Sequence, residues 1–447
     1  MSDSPVTVER LGIEHVPDAA RHGSANRMFT LWFAANLTIA DYAIGVLSTV
    51  LFGFTVAQAV PVLLVGNVLG GLLLGAAAAM GPSLGFPQML SSRASFGRIG
   101  NYIPGSLTWV STVGWFTVNT ILGAEAIRVI FPLSSFALAA AILVFAQLVV
   151  AIYGHDFIHL FEKVMSLVLG GLFLMIFVLA VPRLGEVVAY LPPTGPVISL
   201  GMVGTLLVVS FSYLMSWAPY ASDYSRYLSA STSKRRVAVL AMAGGAAASF
   251  AVEVIGAIVG SLTSSLNYFG ALSSFAGSYG PVAILAVILG AVAANALNLY
   301  TNALSALVLD VKAQRWKMVL AGGVVGFAVA LLVNTSFELF FENFLLALAY
   351  WITPWLGVVL VDFYVLKRTG VESSTNPRRV DYRALGVYIL AIAVSVPFMV
   401  PPAPFVFPVG SLAGIFGGGD FSYFVSFGVA ASLTYFVRMR MGRGPKR

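Results

Sequence analysis

Apolar residues fall along this chain in blocks of about 18 to 28, separated by short runs that hold the charges and the Gly/Pro clusters. Blocks of that length cross a hydrocarbon core of roughly 30 Å as helices. Twelve such blocks are found, at 30–54, 57–81, 102–130, 134–152, 160–181, 201–227, 237–262, 281–309, 318–334, 342–366, 384–400 and 420–438. The pattern predicts an all-α polytopic membrane protein with twelve transmembrane helices. Barrel strands would instead alternate in segments of about ten residues. The connection at 263–280 carries no charge, and is expected to form a short helix packed over the outer mouth.

Composition agrees with the pattern. The 447 residues are 59% hydrophobic and 10% charged, with no cysteine, against a charged fraction of about 25% in soluble domains. Residues 1–28 contain Glu9, Arg10, Glu14, Asp18 and Arg21 and no apolar core, so they are expected to be a cytoplasmic tail and not a signal peptide. The net charge of +7 resolves once it is sorted by side. With both termini in the cytoplasm, 23 of the 25 Lys and Arg residues lie inside and only Arg128 and Arg183 outside. That asymmetry orients the chain in a bacterial-type cytoplasmic membrane. Basic residues are thereby a topology signal, and no nucleic-acid partner is expected.

Short loops leave function to the bundle interior, where a polar group is costly and so a functional candidate. Span 1 (WFAANLTIADYAIG from Trp32) carries Asn36, Thr38 and Asp41 near its midpoint, with Thr38 and Asp41 on one face. Span 3 (GWFTVNT from Gly114) aligns Thr112, Trp115 and Asn119, and a mid-depth Trp beside an amide suits a planar ligand whose edge needs hydrogen bonds. In span 6, Pro219 follows Ser216 and Trp217 and frees backbone carbonyls upstream. Span 8 holds Asn295, Asn298 and Asn302 as an amide stripe. The competing reading of these groups is packing and interhelical hydrogen bonding. Glu253 in span 7 stands alone among apolar residues and is a second candidate proton carrier.

Other signals read as structural. Asp223 and Arg226, and likewise Glu125 and Arg128, are spaced as local i,i+3 pairs, and Gly66/Gly70 and Gly256/Gly260 as close-packing sites. His155 and His159 have the i,i+4 spacing of a two-histidine metal site, but no third ligand accompanies them in the sequence, so they read as a solvated helix start and no metal is expected. All four histidines fall on the cytoplasmic side, which leaves no catalytic set at membrane depth and argues against an enzyme.

Helix interruptions at equivalent places in spans 1 and 6 point to an inverted-repeat transporter with a midplane site. The segments ERLGIEHVPDAARHGSANRMFTLWFAANLT from Glu9, GFPQMLSSRASFGRIGNYIPG from Gly85, SWAPYASDYSRYL from Ser216 and FLLALAYWITPWLGVVLVDFYVLKR from Phe344 resemble the nucleobase/cation symporter family of purine-cytosine and allantoin permeases. The resemblance implies a leucine-transporter-like fold: a first repeat at 29–181, an inverted second repeat at 201–368, two further helices at 384–438 and a cytoplasmic tail at 439–447. It implies that Trp115 and Trp217 sandwich a planar heterocycle, that Thr112, Asn119 and Asn298, with Asn295 beside them, read its edge, and that Thr38 and Ser216 mark the two breaks. Amino-acid, hydantoin or vitamin-like pyridine cargoes stay open.

One departure bears on coupling. Sodium-dependent members of the family are similar in placing two hydroxyl side chains in span 8, where this chain has Val292 and Ala293, and residues 281–299 contain no Ser or Thr. Backbone carbonyls near Ala34 and Leu37 alone offer few oxygens for a hard cation. Proton coupling through Asp41, with Glu253 in reserve, is therefore expected over sodium. No cofactor is expected, the partners being the heterocycle and lipid, and the protein is expected to be a monomer.

Overall fold

A computed structural model describes residues 8–193, 195, 197–400 and 410–442, and the helices in it follow the hydropathy blocks closely. They are α1 (Asn26–Ala35), α2 (Ile39–Val50), α3 (Val56–Ala78), α4 (Tyr102–Ile130), α5 (Phe136–Tyr153), α6 (His155–Ala180), α7 (Leu200–Met215), α8 (Ala221–Ser225), α9 (Lys234–Thr263), α10 (Tyr268–Ala276), α11 (Gly280–Val308), α12 (Arg315–Val333), α13 (Phe337–Leu360), α14 (Tyr382–Ser395) and α15 (Ser422–Gly442). Among the described residues nine helices are long and apolar enough to cross a membrane, and the bent pair α1–α2 makes a tenth. The two remaining blocks coincide with α14, which is shorter, and α15. The expected outer helix is α10, which buries Leu272 and packs on α11.

Span 1 is broken by 58° between α1 and α2. Asn36 leaves helical geometry, and Thr38 is extended, its Oγ accepting the Asp41 N–H at 3.4 Å. That is an N-cap placed in mid-membrane, which satisfies one donor freed by the break. Span 6 ends its regular helix at Met215, and Pro219 sits in a 3₁₀ turn, Ala218–Tyr220, before α8 resumes. The chain also turns within one residue between α5 and α6: Gly154 takes φ 93°, so span 5, which is α6, starts at His155 and not at residue 160.

The helices form two groups. In one, α9 packs along α1, α2 and α3, and α3 along α7. In the other, α4 and α11 are close partners, flanked by α5, α6 and α12. Backbones touch at the small residues. A Cβ at Gly45 would overlap the Glu253 carbonyl, one at Gly256 the Tyr42 carbonyl, and one at Gly70 would meet the Phe211 carbonyl at 2.7 Å. Helices α13, α14 and α15 pack together at the other end, tied by buried Arg438, which pairs with Asp362 at 2.8 Å and Asp381 at 2.9 Å.

Candidate functional site

The break in span 1 brings three aromatic and amide groups together. Asn36 donates its amide to the Trp32 carbonyl at 2.7 Å and accepts the Trp217 indole N–H at 2.9 Å. Trp217 meets Trp32 edge-on with ring centroids 5.5 Å apart, and Tyr220 at 5.3 Å. Trp115 has different neighbours, standing edge-on to Tyr213 at 5.1 Å and Phe344 at 5.3 Å. Its indole N–H is buried without an acceptor.

Polar side chains of α4 and α11 interlock beside Trp115. Asn295 accepts from Asn119 at 3.2 Å and Asn298 at 3.0 Å, and donates to the Phe116 carbonyl and to Thr120. Its amide is fully engaged, so Asn295 orients its two neighbours. Asn119 and Asn298 each keep a buried carbonyl oxygen with no partner. Lower on the same helices, Asn302 donates to Thr112 at 2.8 Å, while Thr112 donates to the Trp109 carbonyl at 2.7 Å. Ser216 is bonded within its own helix, to the Tyr213 carbonyl at 2.6 Å.

Two fully buried carboxyls lie on the other side of the break. Asp41 receives a long 3.3 Å bond from Thr38, which is also paired with the Tyr213 hydroxyl at 2.8 Å. The Ser249 hydroxyl lies next to the same carboxyl, whose Oδ1 has no hydrogen bond of good geometry. Glu253 accepts from Asn67 at 2.5 Å and Ser210 at 3.0 Å. Among the described residues no cation pairs with either acid, so an ionised form would be uncompensated. At the candidate sodium position, the Leu37 carbonyl points at Gly290, at 2.5 Å from where a Cβ would stand, and the Ala34 carbonyl accepts the Leu37 N–H at 3.1 Å. Val292 and Ala293 are buried there.

One end of the bundle is sealed by the N-terminal tail. Glu9 accepts from the Tyr227 hydroxyl at 2.5 Å, the His155 backbone N–H at 2.9 Å and the Tyr300 hydroxyl at 3.0 Å, and pairs with Arg226 at 3.4 Å and Arg315 at 3.7 Å. Burial alone would raise its pKa, but Arg315 and Arg226, with His155 and the Tyr227 bond, hold it below the ordinary carboxylate value. Above this seal Asp223 accepts from Thr301 at 2.8 Å and from the Gln88 backbone at 2.8 Å. Asp223 and Arg226 are therefore not the local pair that their spacing suggests, because Arg226 turns outward to the Glu9 carboxylate and the Gly12 carbonyl. Glu125 and Arg128 are paired, at 2.9 Å. His155 and His159 are buried and both bond the Tyr224 carbonyl at 3.2 Å, so they do not form a solvated helix start.

Sequence reading passed over Trp32, Tyr213, Phe344, Asn67, Ser210 and Glu9. Glu162 was passed over too; it is fully buried with neither carboxyl oxygen bonded.

A helical membrane bundle folded round a broken span, with unpaired polar atoms buried at the break, has the architecture of a leucine-transporter-like membrane transporter. Comparison with known proteins narrows the class. The chain belongs to the nucleobase/cation symporter family: the family model for permeases for cytosine/purines, uracil, thiamine and allantoin matches residues 15–426. A putative purine-cytosine permease of Bacillus subtilis is 30% identical over 97% of this chain and 96% of its own. The purine-cytosine permease fcyB of Emericella nidulans is 27% identical over 95% and 87%. Among solved structures, the nucleobase-cation-symport-1 transporter Mhp1, closed with bromovinylhydantoin bound, superposes with TM-score 0.78 at 22% identity, covering 98% of this chain and 95% of that one. Its inward-facing form gives 0.72.

Proposed function

We propose that the protein imports a nucleobase or related planar heterocycle of the purine/cytosine class by alternating access, driven by protons. One observation carries the cargo: Trp115 Nε1, Asn119 Oδ1 and Asn298 Oδ1 are buried at mid-depth with no partners. One donor and two acceptors left open beside aromatic rings are what a flat ring with N–H and carbonyl edges would satisfy, and a ligand lacking those groups would leave them unpaired. In this reading the ring stacks on Trp115 and Trp217, which supplies affinity that does not depend on the edge.

In this reading Asp41 carries the proton. A carboxyl without a countercation beside the break is neutralised by protonation, and α11 offers no hydroxyl near Val292 and Ala293 to complete a sodium shell. The repeats at 29–181 and 201–368 exchange access to the site, with both termini in the cytoplasm. A hydantoin, of the kind bound in one solved neighbour, or vitamin B6, for which a Saccharomyces cerevisiae relative is named a transporter, presents a comparable edge.

Reconstituted liposomes test the whole reading. Uptake of labelled cytosine, hypoxanthine, uracil and allantoin is measured under an imposed pH gradient, with and without sodium. Concentrative uptake of a nucleobase that follows the pH gradient and ignores sodium is expected. Strictly sodium-dependent uptake would refute the proton assignment, and uptake of allantoin alone would refute the nucleobase one.

A further inference from the structure

The tail and the start of α6 bring together groups that the transport reading does not use. His22, His155 and Asp156 each present one ligand atom, and the three atoms lie within 4.8 Å of one another. His22 uses Nδ1 on the Ala20 carbonyl at 2.8 Å, and His155 uses Nε2 on the Tyr224 carbonyl at 3.2 Å. A carbonyl can only accept, so those ring nitrogens carry the protons of the neutral imidazoles. The opposite nitrogens then hold lone pairs, and both face the same carboxylate oxygen: His22 Nε2 at 2.6 Å and His155 Nδ1 at 3.2 Å from Asp156 Oδ1. Three lone pairs aimed at one point repel unless a second proton on each ring or a metal cation lies between them.

We propose that His22, His155 and Asp156 form a divalent transition-metal site, best suited to zinc, that joins the N-terminal tail to α6. Two imidazoles and a carboxylate with water as the fourth ligand are a common zinc donor set, and each histidine already has the carbonyl partner that fixes a ligating ring. Zinc–nitrogen bonds of 2.0–2.1 Å put tetrahedral ligands roughly 3.3 Å apart, so the observed positions need shifts of about an ångström. Space exists for them. A cavity of about 490 Å³ borders all three residues, and His22 and Asp156 are 40% and 42% exposed. The other groups around the site are Arg27, 3.8 Å from Asp156 and half-exposed, Glu9 on the His155 backbone, His159 with a free Nδ1, and the Tyr227 ring 4.0 Å from His155. Arg27 must swing into solvent when the ion enters, and at 39% exposure it is able to.

Equilibrium binding of Zn²⁺ to the untagged full chain in detergent at pH 7.5, in competition with a chromophoric chelator, tests the proposal. One ion per chain is expected, with at least ~30-fold weaker binding in His22→Ala and in Asp156→Asn. Co²⁺ should give the intense visible bands of a four-coordinate site in the parent and lose them in His22→Ala. His22 is a tail residue outside the substrate site, and an unchanged thermal unfolding profile in that variant confirms that it folds. The absence of Zn²⁺ binding by the parent chain, or binding of equal strength in His22→Ala, overturns the proposal and leaves two imidazolium–carboxylate bonds in its place.

Discussion

Removing the Glu9 carboxylate is expected to unlock the mouth that the tail covers. Glu9 holds two arginines that are otherwise enclosed, Arg226 with its side chain 0% exposed and Arg315 1%. Breaking one partner out of a buried ion pair costs about 3–5 kcal/mol. Part of that is recovered because Arg226 keeps the Gly12 carbonyl at 2.8 Å and the Tyr300 hydroxyl at 3.1 Å. A net loss of about 2–3 kcal/mol from the closed state remains, which corresponds to ~30- to 150-fold in its equilibrium with the open one. The chain has no cysteine, so a single introduced thiol reports accessibility without background. Ser305→Cys is nearly isosteric, sacrifices no hydrogen bond, and lies one turn below Thr301 on the same face of α11. In that background Glu9→Ala should speed maleimide labelling ~30-fold or more, and Glu9→Gln, which keeps acceptors for the two tyrosines, by less. Equal labelling rates with and without the carboxylate would show that the tail lies on the mouth without holding it.

The same thiol reads the pH dependence of the tail. Glu9 has a lowered pKa, so its contribution is present above the ordinary carboxylate value of 4.5 and is lost as pH falls through the lowered one. His22 is raised by its bond to Asp156 against the opposing effect of burial, so in metal-free protein its contact is complete below 6.5 and is lost as pH rises through the raised value. Relative to a fully exposed thiol labelled at the same pH, whose own rate rises with its thiolate fraction, labelling should therefore accelerate at the alkaline end, and His22→Ala should abolish that relative limb; a relative limb that survives this substitution would assign it elsewhere. Asp41→Asn should leave facilitated exchange but remove pH-driven accumulation, and concentrative pH-dependent uptake by this variant would exclude Asp41 as the carrier. Trp115→Ala should weaken substrate binding by about 1–3 kcal/mol, or ~5- to 150-fold, with Trp115→Phe recovering much of it; unchanged affinity in the alanine variant would remove Trp115 from the site. Arg438→Met strands Asp362 and Asp381 and should cost about 3–5 kcal/mol, read as a lower unfolding temperature in detergent, while an unshifted transition would mean the network is already hydrated.

Helix positions were legible because the hydropathy blocks are long and the breakers few: Asn36–Thr38 and Pro219 announce the two interruptions by chemistry that no apolar helix needs. Asn36, Asp41, Asn119, Glu253, Asn295 and Asn298 stood out for the same reason, being expensive at membrane depth, whereas Asn67 and Glu162 did not. Trp32, Tyr213 and Phe344 did not, because an aromatic residue in an apolar block is indistinguishable from filler until its neighbours are known. The tail was illegible for a different reason. Glu9 reads as a solvated charge, and its partners Arg226, Tyr300 and Arg315 lie 217, 291 and 306 positions away. His22 and Asp156, 134 positions apart, gave no spacing to notice.

The glycine contacts between α2 and α9 set a limit on what can move. Because Gly45 rests on the Glu253 carbonyl and Gly256 on the Tyr42 carbonyl, there is no side-chain layer in which one helix could slide past the other. Asp41 and Glu253 therefore ride on a single mechanical part. In the proposed cycle their separation is expected to stay constant, with only the water that each of them can reach changing.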